Sequence, residues 1–345
     1  MLITDFDYEL PEELIAQAPL THRDASRMLV LDRAQRNFYD AEFQSLPDYL
    51  NPNDVLVLNN TKVLPARLVG ERPGSGGNVE LLLLREHEAG IWEALIRPGR
   101  RLRPGARIAF TSSQVTAEVL ANARGGNRLI RFEPADNIRD LLRTLGQTPL
   151  PPYIKREDGE TTQDRERYQT VYASRDGAIA APTAGLHFTE SVLKNIAKRG
   201  VSAVEITLHV GYGTFVPVRV NDISKHSVLP ENTIITSESA RVVNEAGSAG
   251  GRVLAVGTTT VRALESAANE NGEVTAGSQL AALTIVPGYN FNVVDALLTN
   301  FHLPRSSLLL LVSAFAGKEL ILEAYQHAVN ERYRFYSYGD CMLII

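Results

Sequence analysis

Three of the seven histidines close runs that read as strands: His187 in APTAGLHFTE, His209 in LHVGYGTF and His302 in TNFHLP. Imidazole exchanges protons near neutral pH, so three of them gathered at one edge of a sheet would serve proton transfer. A lone histidine in a loop is more often a hydrogen-bonded structural residue, but three at corresponding positions turn that balance towards catalysis. His22, His87 and His327 have no such context. In the run 203–210, Val204, Ile206, Leu208 and Val210 alternate with Glu205, Thr207 and His209, which puts His209 on the more polar face.

The elements that would position these groups follow a strand, loop, helix, strand grammar from about residue 170 onward, the pattern of an α/β fold. Residues 177–181 read as a buried strand, Thr189 as an N-cap, 191–199 as a helix stopped by Gly200, and 203–210 as a second strand, together a βαβ unit. Residues 252–256 and 261–268 read as a further strand and helix. Ligands of such sheets sit at the carboxyl ends of the strands. The loops found there carry small, hydroxyl, amide or imidazole groups: Asn59, Asn60 and Thr61 after 55–58; Pro182, Thr183 and Gly185 after 177–181; Gly211, Gly213, Thr214 and Phe215 after 203–210; Gly257, Thr258, Thr259 and Arg262 after 252–256; Thr299, Asn300 and Phe301 after 293–298. GTTT ahead of a helix offers backbone N–H groups to a carboxylate or phosphate, although Gly and Thr also begin helices for structural reasons alone. HVGYGTF lacks the third glycine of a dinucleotide fingerprint.

Residues 63–149 differ from their surroundings. Short β-like runs such as VELLLL, WEALIRP and NRLIRFEP alternate with Gly- and Pro-rich breaks, which suits a small all-β barrel or sandwich. The expected architecture is an α/β domain built from 1–62 and 150–345, interrupted by a β-domain at 63–149. The chain has a net charge of −5, yet 63–143 holds 13 Lys and Arg against 9 Asp and Glu, a surplus of 13 − 9 = +4. RPGRRLRPGAR concentrates it in Arg97, Arg100, Arg101, Arg103 and Arg107, a patch able to neutralise phosphates. A solvated charged turn fits the same residues.

The amino-terminal segment is acidic, unlike a signal peptide, and the longest apolar run, ending at Gly317, is half the roughly 20 residues a membrane span needs. Cys341 is the only cysteine, which excludes an internal disulfide and suits a reducing cytoplasm. No metal-binding spacing occurs. These features predict a cytoplasmic protein with no metal and no membrane partner, expected to act as a monomer with an oligomer left open.

The blocks LNPNDVLVLNNTKVLPARL, PLPPYIKR, GAIAAPTAGLHFTE, LHVGYGTFVPV, VLAVGTTTVRALES, VDALLTNFHLPRSSLLLLVSAFAG and YRFYSYGDCMLI, in order from Phe6 to Ile344, closely resemble the S-adenosylmethionine:tRNA ribosyltransferase-isomerase family of queuosine biosynthesis. The resemblance implies an α/β barrel-like catalytic domain with an inserted β-domain. It implies transfer and isomerisation of the ribosyl part of S-adenosylmethionine onto 7-aminomethyl-7-deazaguanine at the wobble position of a tRNA with a GUN-type anticodon, releasing adenine and methionine. S-adenosylmethionine is then a consumed substrate and no cofactor is needed. Removing a proton from C5′, protonating the departing adenine and neutralising the incoming amine are the tasks open to His187, His209 and His302, without allocation among them. Arg262 and the GTTT backbone are candidates for the methionine carboxylate; Asn59, Asn60, Thr61, Arg67, Tyr172 and Asn300 for base or ribose edges. The sequence departs from the family pattern at HSVLPE, where Leu229 replaces a usual histidine, and at TIVPG, where Thr284 and Val286 replace aromatics. Two rival readings are a paralogue that transfers the ribosyl group to another nucleobase and a tRNA-binding protein that has lost turnover.

Overall fold

The structure, a computed structural model, describes the chain except residues 75, 112, 157–159 and 216 and the side chains of Arg101, Arg124, Thr214 and Phe215. In chain order the strands are β1 (Arg27–Asp32), β2 (Asn37–Glu42), β3 (Val55–Asn59), β4 (Thr61–Val63), β5 (Arg67–Glu71), β6 (Asn78–Glu88), β7 (Ile91–Arg97), β8 (Arg107–Ala109), β9 (Thr116–Asn122), β10 (Arg128–Glu133), β11 (Arg175–Ala178), β12 (Ser202–Leu208), β13 (Glu231–Ile235), β14 (Val253–Val256), β15 (Gly277–Ala281), β16 (Ala296–Asn300) and β17 (Cys341–Ile344). The helices are α1 (Ile138–Leu145), α2 (Thr162–Arg167), α3 (Glu190–Lys198), α4 (Ser237–Ser248), α5 (Thr258–Ala267), α6 (Ser307–Ala316) and α7 (Lys318–Asn330).

Nine strands form a mixed sheet in the order β15-β13-β12-β3-β14-β16-β17-β1-β2. Its centre, β12, β3, β14 and β16, is parallel, so their carboxyl ends open at one edge. Strands β3, β14 and β16 are buried at every position, as a sheet covered on both faces requires. Alternate residues go to opposite layers: Val55, Val57, Ala255 and Leu297 pack with the apolar side chains of α5, α6 and α7, while Leu56, Leu58, Leu254, Val256 and Leu298 pack with Val192 and Ile196 of α3 and with Phe43 and Leu46.

Strands β5 to β10 close into a six-stranded antiparallel barrel in the order β10-β7-β6-β5-β8-β9. Its core takes every second residue of β6, namely Val79, Leu81 and Leu83, together with Val119, Ile130 and Phe132 and with Leu141 and Leu142 from α1. The α/β domain and the inserted all-β barrel read from the sequence are therefore both present.

One expected element is different. Strand β11 pairs in parallel with β4 in a separate two-stranded ribbon, whereas β12 lies in the large sheet beside β3. The segment β11–α3–β12 is thus not a βαβ unit within one sheet. The cause lies at Asn59: its side-chain amide donates to the carbonyl of Leu208 at 3.0 Å while its Oδ1 accepts from the N–H of Leu208 at 3.0 Å and from that of Thr61 at 3.2 Å. These bonds close the β3/β12 ladder and turn the chain into β4, where β11 finds it. Thr189 does cap α3, accepting from the N–H of Val192 at 3.3 Å.

Candidate active site at the carboxyl edge of the sheet

The loops leaving β12, β14 and β16, the turn after β11 and the segment before β17 meet around a cavity of ≈ 50 Å³. Pro182 and Thr183, Gly257 to Thr259, and Thr299 to His302 all line it. Among the described residues its wall carries no Lys, Arg, Asp or Glu. Gly257, with φ +91°, takes a conformation suited to glycine and leads into α5 without a side-chain cap. The first N–H groups of α5, at Thr258 and Thr259, are therefore open to a ligand, and the helix dipole favours a carboxylate there.

The three histidines do not share this cavity. His302 lines it; its Nε2 lies 2.9 Å from Thr299 Oγ1, and burial pushes its pKa down to about 3. His187 sits behind the wall: Nδ1 is 2.7 Å from Ser26 Oγ and Nε2 is 3.2 Å from Asn300 Nδ2. An amide nitrogen only donates, so Nε2 accepts and Nδ1 carries the proton towards Ser26. Burial, then the charges of Arg23 and Arg334, hold its pKa near 3. With both ring nitrogens engaged, His187 orients Asn300 and has no free nitrogen for substrate. The Asn300 amide also donates to the carbonyl of Tyr336 at 3.2 Å, and its buried Oδ1 has no protein partner.

His209 faces a different space. It lines a cleft of ≈ 720 Å³ between the sheet and the barrel, with Lys62, Gly177, Gly211 and Trp92 among the other walls. Its Nδ1 is 2.8 Å from Thr61 Oγ1, and burial lowers its pKa, partly offset by Asp176. Val210 borders both the cleft and the small cavity.

Other candidates take structural places. Asn59 closes the β3/β12 ladder, and Asn60 donates to Glu205 Oε2 at 2.8 Å and accepts from Thr207 Oγ1 at 2.7 Å. Arg262 is buried, with Nη1 on Glu231 Oε2 at 2.7 Å and Nε and Nη2 on the carbonyls of Leu283, Leu229 and Ala281. Those bonds engage four of its five N–H donors within the protein. Glu231 also accepts from the N–H of Gly211 at 2.8 Å and so fixes the 211–213 loop. Tyr172 lies in the core beside Phe188, and a Cβ on Gly185 would stand 2.0 Å from its hydroxyl. Gly185 is therefore a packing residue. Gly213 borders a small cavity of ≈ 30 Å³ shared with Thr258, Thr259 and Arg262. The side chains of Thr214 and Phe215 lie outside the described residues.

In the barrel, Arg67 pairs with Glu80 at 3.0 Å and lines, with Arg97, a second interdomain cavity of ≈ 300 Å³. Arg97, Arg100, Arg103 and Arg107 are exposed, and the side chain of Arg101 lies outside the described residues. Sequence reading missed Tyr153, Tyr168 and Tyr336, which line the sheet-end cavity, although they stand in or beside the blocks PLPPYIKR and YRFYSYGDC. The Tyr153 hydroxyl is 2.5 Å from Ser337 Oγ, and its ring meets that of Tyr336 edge-on at 3.9 Å.

A parallel sheet edge bearing neutral imidazoles, amides and a bare helix N-terminus, with an inserted barrel that exposes arginines, defines an α/β enzyme with an inserted β-domain. The chain belongs to the queuosine biosynthesis protein family, whose model matches residues 3–344. It is 49% identical, over the whole of both chains, to a protein of Desulforamulus reducens named S-adenosylmethionine:tRNA ribosyltransferase-isomerase. It is similar to the crystal structure of an S-adenosylmethionine tRNA ribosyltransferase from Thermotoga maritima, with 38% identity, a TM-score of 0.56 and coverage of 99% of this chain and all of the other.

Proposed function

We propose that the protein is a tRNA-modifying transferase-isomerase that moves the ribosyl part of S-adenosylmethionine onto 7-aminomethyl-7-deazaguanine at the wobble position and isomerises it to epoxyqueuosine, with adenine and methionine as the other products. The observation that carries the reading is that Val210 forms a wall common to a sheet-end cavity, lined by no charged side chain among the described residues, and a cleft beneath the barrel. One space suits the donor and the other an acceptor borne on a polyanion.

S-adenosylmethionine carries a sulfonium. The tyrosine rings of the uncharged cavity offer it an aromatic surface at no cost in charge repulsion. The N–H groups of Thr258 and Thr259 receive the methionine carboxylate in place of Arg262. At ≈ 50 Å³ the cavity admits only part of this substrate, so the remainder extends along Val210 towards the cleft. His302, neutral at pH 7, takes the C5′ proton that the sulfonium acidifies. Asn300, held by His187, presents its free Oδ1 to a donor on the sugar or base. His209 serves the amine arriving in the cleft.

On this reading the donor is a consumed substrate with no separate cofactor. The acceptor is a tRNA with a GUN-type anticodon, and the chain works as a monomer in the cytoplasm. Among the described residues no helix is long and apolar enough to cross a membrane. Residues 63–149 form the insert and contribute Arg97, Arg100, Arg101, Arg103 and Arg107 to the tRNA surface.

The test is adenine release from S-adenosylmethionine, followed by chromatography, in the presence of tRNA bearing the aminomethyl-deazaguanine. Release that depends on this tRNA supports the reading. Release that requires another acceptor base identifies a paralogue, and tight tRNA binding without release identifies a binding protein.

A further inference from the structure

The cleft between sheet and barrel has chemistry that neither the sheet-end cavity nor the arginine run accounts for. At ≈ 720 Å³ it lies within the range that encloses a nucleotide-sized ligand. Lys62, Arg85, Arg139 and Arg143 line it, against Glu86, Asp176 and Glu231. Two of those acids are already paired, Asp176 with Lys62 at 3.8 Å and Glu231 with Arg262 at 2.7 Å. Arg143 stands 3.5 Å from Asp140 at the surface. Arg85 and Arg139, both exposed, stand against Glu86, which leaves the lining one cation in excess, 4 − 3 = +1. Arg85 and Arg139 at this rim attract phosphates.

The wall holds a second signal. Trp92 is only 8% exposed and borders the cleft, yet its indole Nε1 is buried without an acceptor. A buried N–H left unpaired costs roughly 1–3 kcal/mol, so the position calls for a ligand acceptor. Of the cleft cations, Arg85 lies towards the opposite end of the β6/β7 pair from Arg97, whose register partner is Glu80, and the others come from β4 and α1. They are therefore separate from the 97–107 run.

We propose that this cleft receives the acceptor nucleotide of the tRNA, swung out of its stack, with the Trp92 N–H donating to the base and Arg85 and Arg139 holding the flanking phosphates. The inference rests on the transferase reading and assigns its acceptor subsite. A base extruded from its neighbours loses stacking, and the indole bond with the two phosphate contacts offsets that loss. His209 then lies beside the entering nucleotide.

Trp92 is the only tryptophan in the chain, so its emission reports on the cleft directly. The full-length protein is titrated with an anticodon stem-loop carrying the aminomethyl-deazaguanine and with the same stem-loop abasic at that position. The expected result is a saturable change in Trp92 emission with the first and none with the second, and no change with S-adenosylmethionine alone. An equal change from the abasic stem-loop, a full change from S-adenosylmethionine, or binding without any change would each overturn the proposal. As a second readout, Trp92→Phe keeps an aromatic ring, though a smaller one, and removes the donor: the KM for tRNA should rise about tenfold with the affinity for S-adenosylmethionine unchanged, and an unaltered KM contradicts the assignment. Arg85→Ala with Arg139→Ala should flatten the salt dependence of stem-loop binding by about two log units per log unit of salt, and an unchanged slope contradicts it. Adenine release in the same samples separates the two ideas, because its absence with every tRNA ends the transferase reading while the emission result still reports on the cleft.

Discussion

Gly177 and His209 are fitted to each other: a Cβ on Gly177 would stand 2.6 Å from both Cε1 and Nδ1 of the imidazole, well inside any contact a real side chain makes. The bare backbone of β11 lets the ring lie flat where Thr61 Oγ1 reaches its Nδ1. Gly177→Ala must push the ring off that bond. Because misplacing a reacting group by an ångström costs about 10²-fold in rate, kcat of the folded variant should fall by about that factor, and the φ of +152° at Gly177, unfavourable for alanine, should lower the thermal midpoint as well. A variant with wild-type kcat would remove His209 from the chemistry.

The buried pair Arg262 and Glu231 answers a separate question. If Arg262 is structural, Arg262→Ala leaves a buried carboxylate unpaired and should lower stability by about 3–5 kcal/mol. The double variant Arg262→Met, Glu231→Leu should recover much of that in urea unfolding. Folded double variant should still bind S-adenosylmethionine by calorimetry, and loss of binding in a well-folded sample would restore Arg262 as a ligand.

Acid should destabilise the protein through His187 and His302. Burial holds both near a pKa of about 3, against an ordinary 6.5. Between those values the unfolded chain binds protons that the folded one does not, so stability is complete above about pH 6.5 and is lost as the pH falls towards 3. At pH 5.5 each contributes a loss of about 1.4 kcal/mol. The urea midpoint should therefore drop between pH 7 and 5.5, and His187→Gln should shrink that drop. A midpoint independent of pH over this range would contradict the buried, neutral state of both rings.

The arginine run makes its own prediction. Arg100→Ala with Arg103→Ala should weaken tRNA binding and reduce the salt slope by up to about one unit per lost phosphate contact. An unchanged slope in filter binding would mean that this face of the barrel meets only solvent.

Much of this arrangement was legible in the chain. The β-like runs of the barrel between Gly- and Pro-rich breaks and the apolar runs of β3 and β16 were visible in the chain, and the loops at strand ends followed from the sheet. What the sequence withheld was partnership. His187 and His302 stand in similar strand-end contexts, yet one is locked between Ser26 and Asn300, residues 161 and 113 positions away, and no local pattern reveals that. The same holds for Arg262, whose partner Glu231 is 31 residues distant. The βαβ unit was misread because β11 pairs with β4 in a separate ribbon, a partnership that strand periodicity does not register. Trp92 reads as a barrel core residue, and only the unpaired Nε1 beside a cleft marks it as more.

The central claim is tested most directly by the mass of the wobble nucleoside. After incubation of the protein with S-adenosylmethionine and tRNA bearing 7-aminomethyl-7-deazaguanine, the tRNA is digested and its nucleosides weighed. The account predicts that the aminomethyl nucleoside disappears and a heavier one carrying the isomerised ribosyl unit takes its place, in equal amount to the adenine released. An unchanged nucleoside in the presence of bound tRNA and bound S-adenosylmethionine would contradict it.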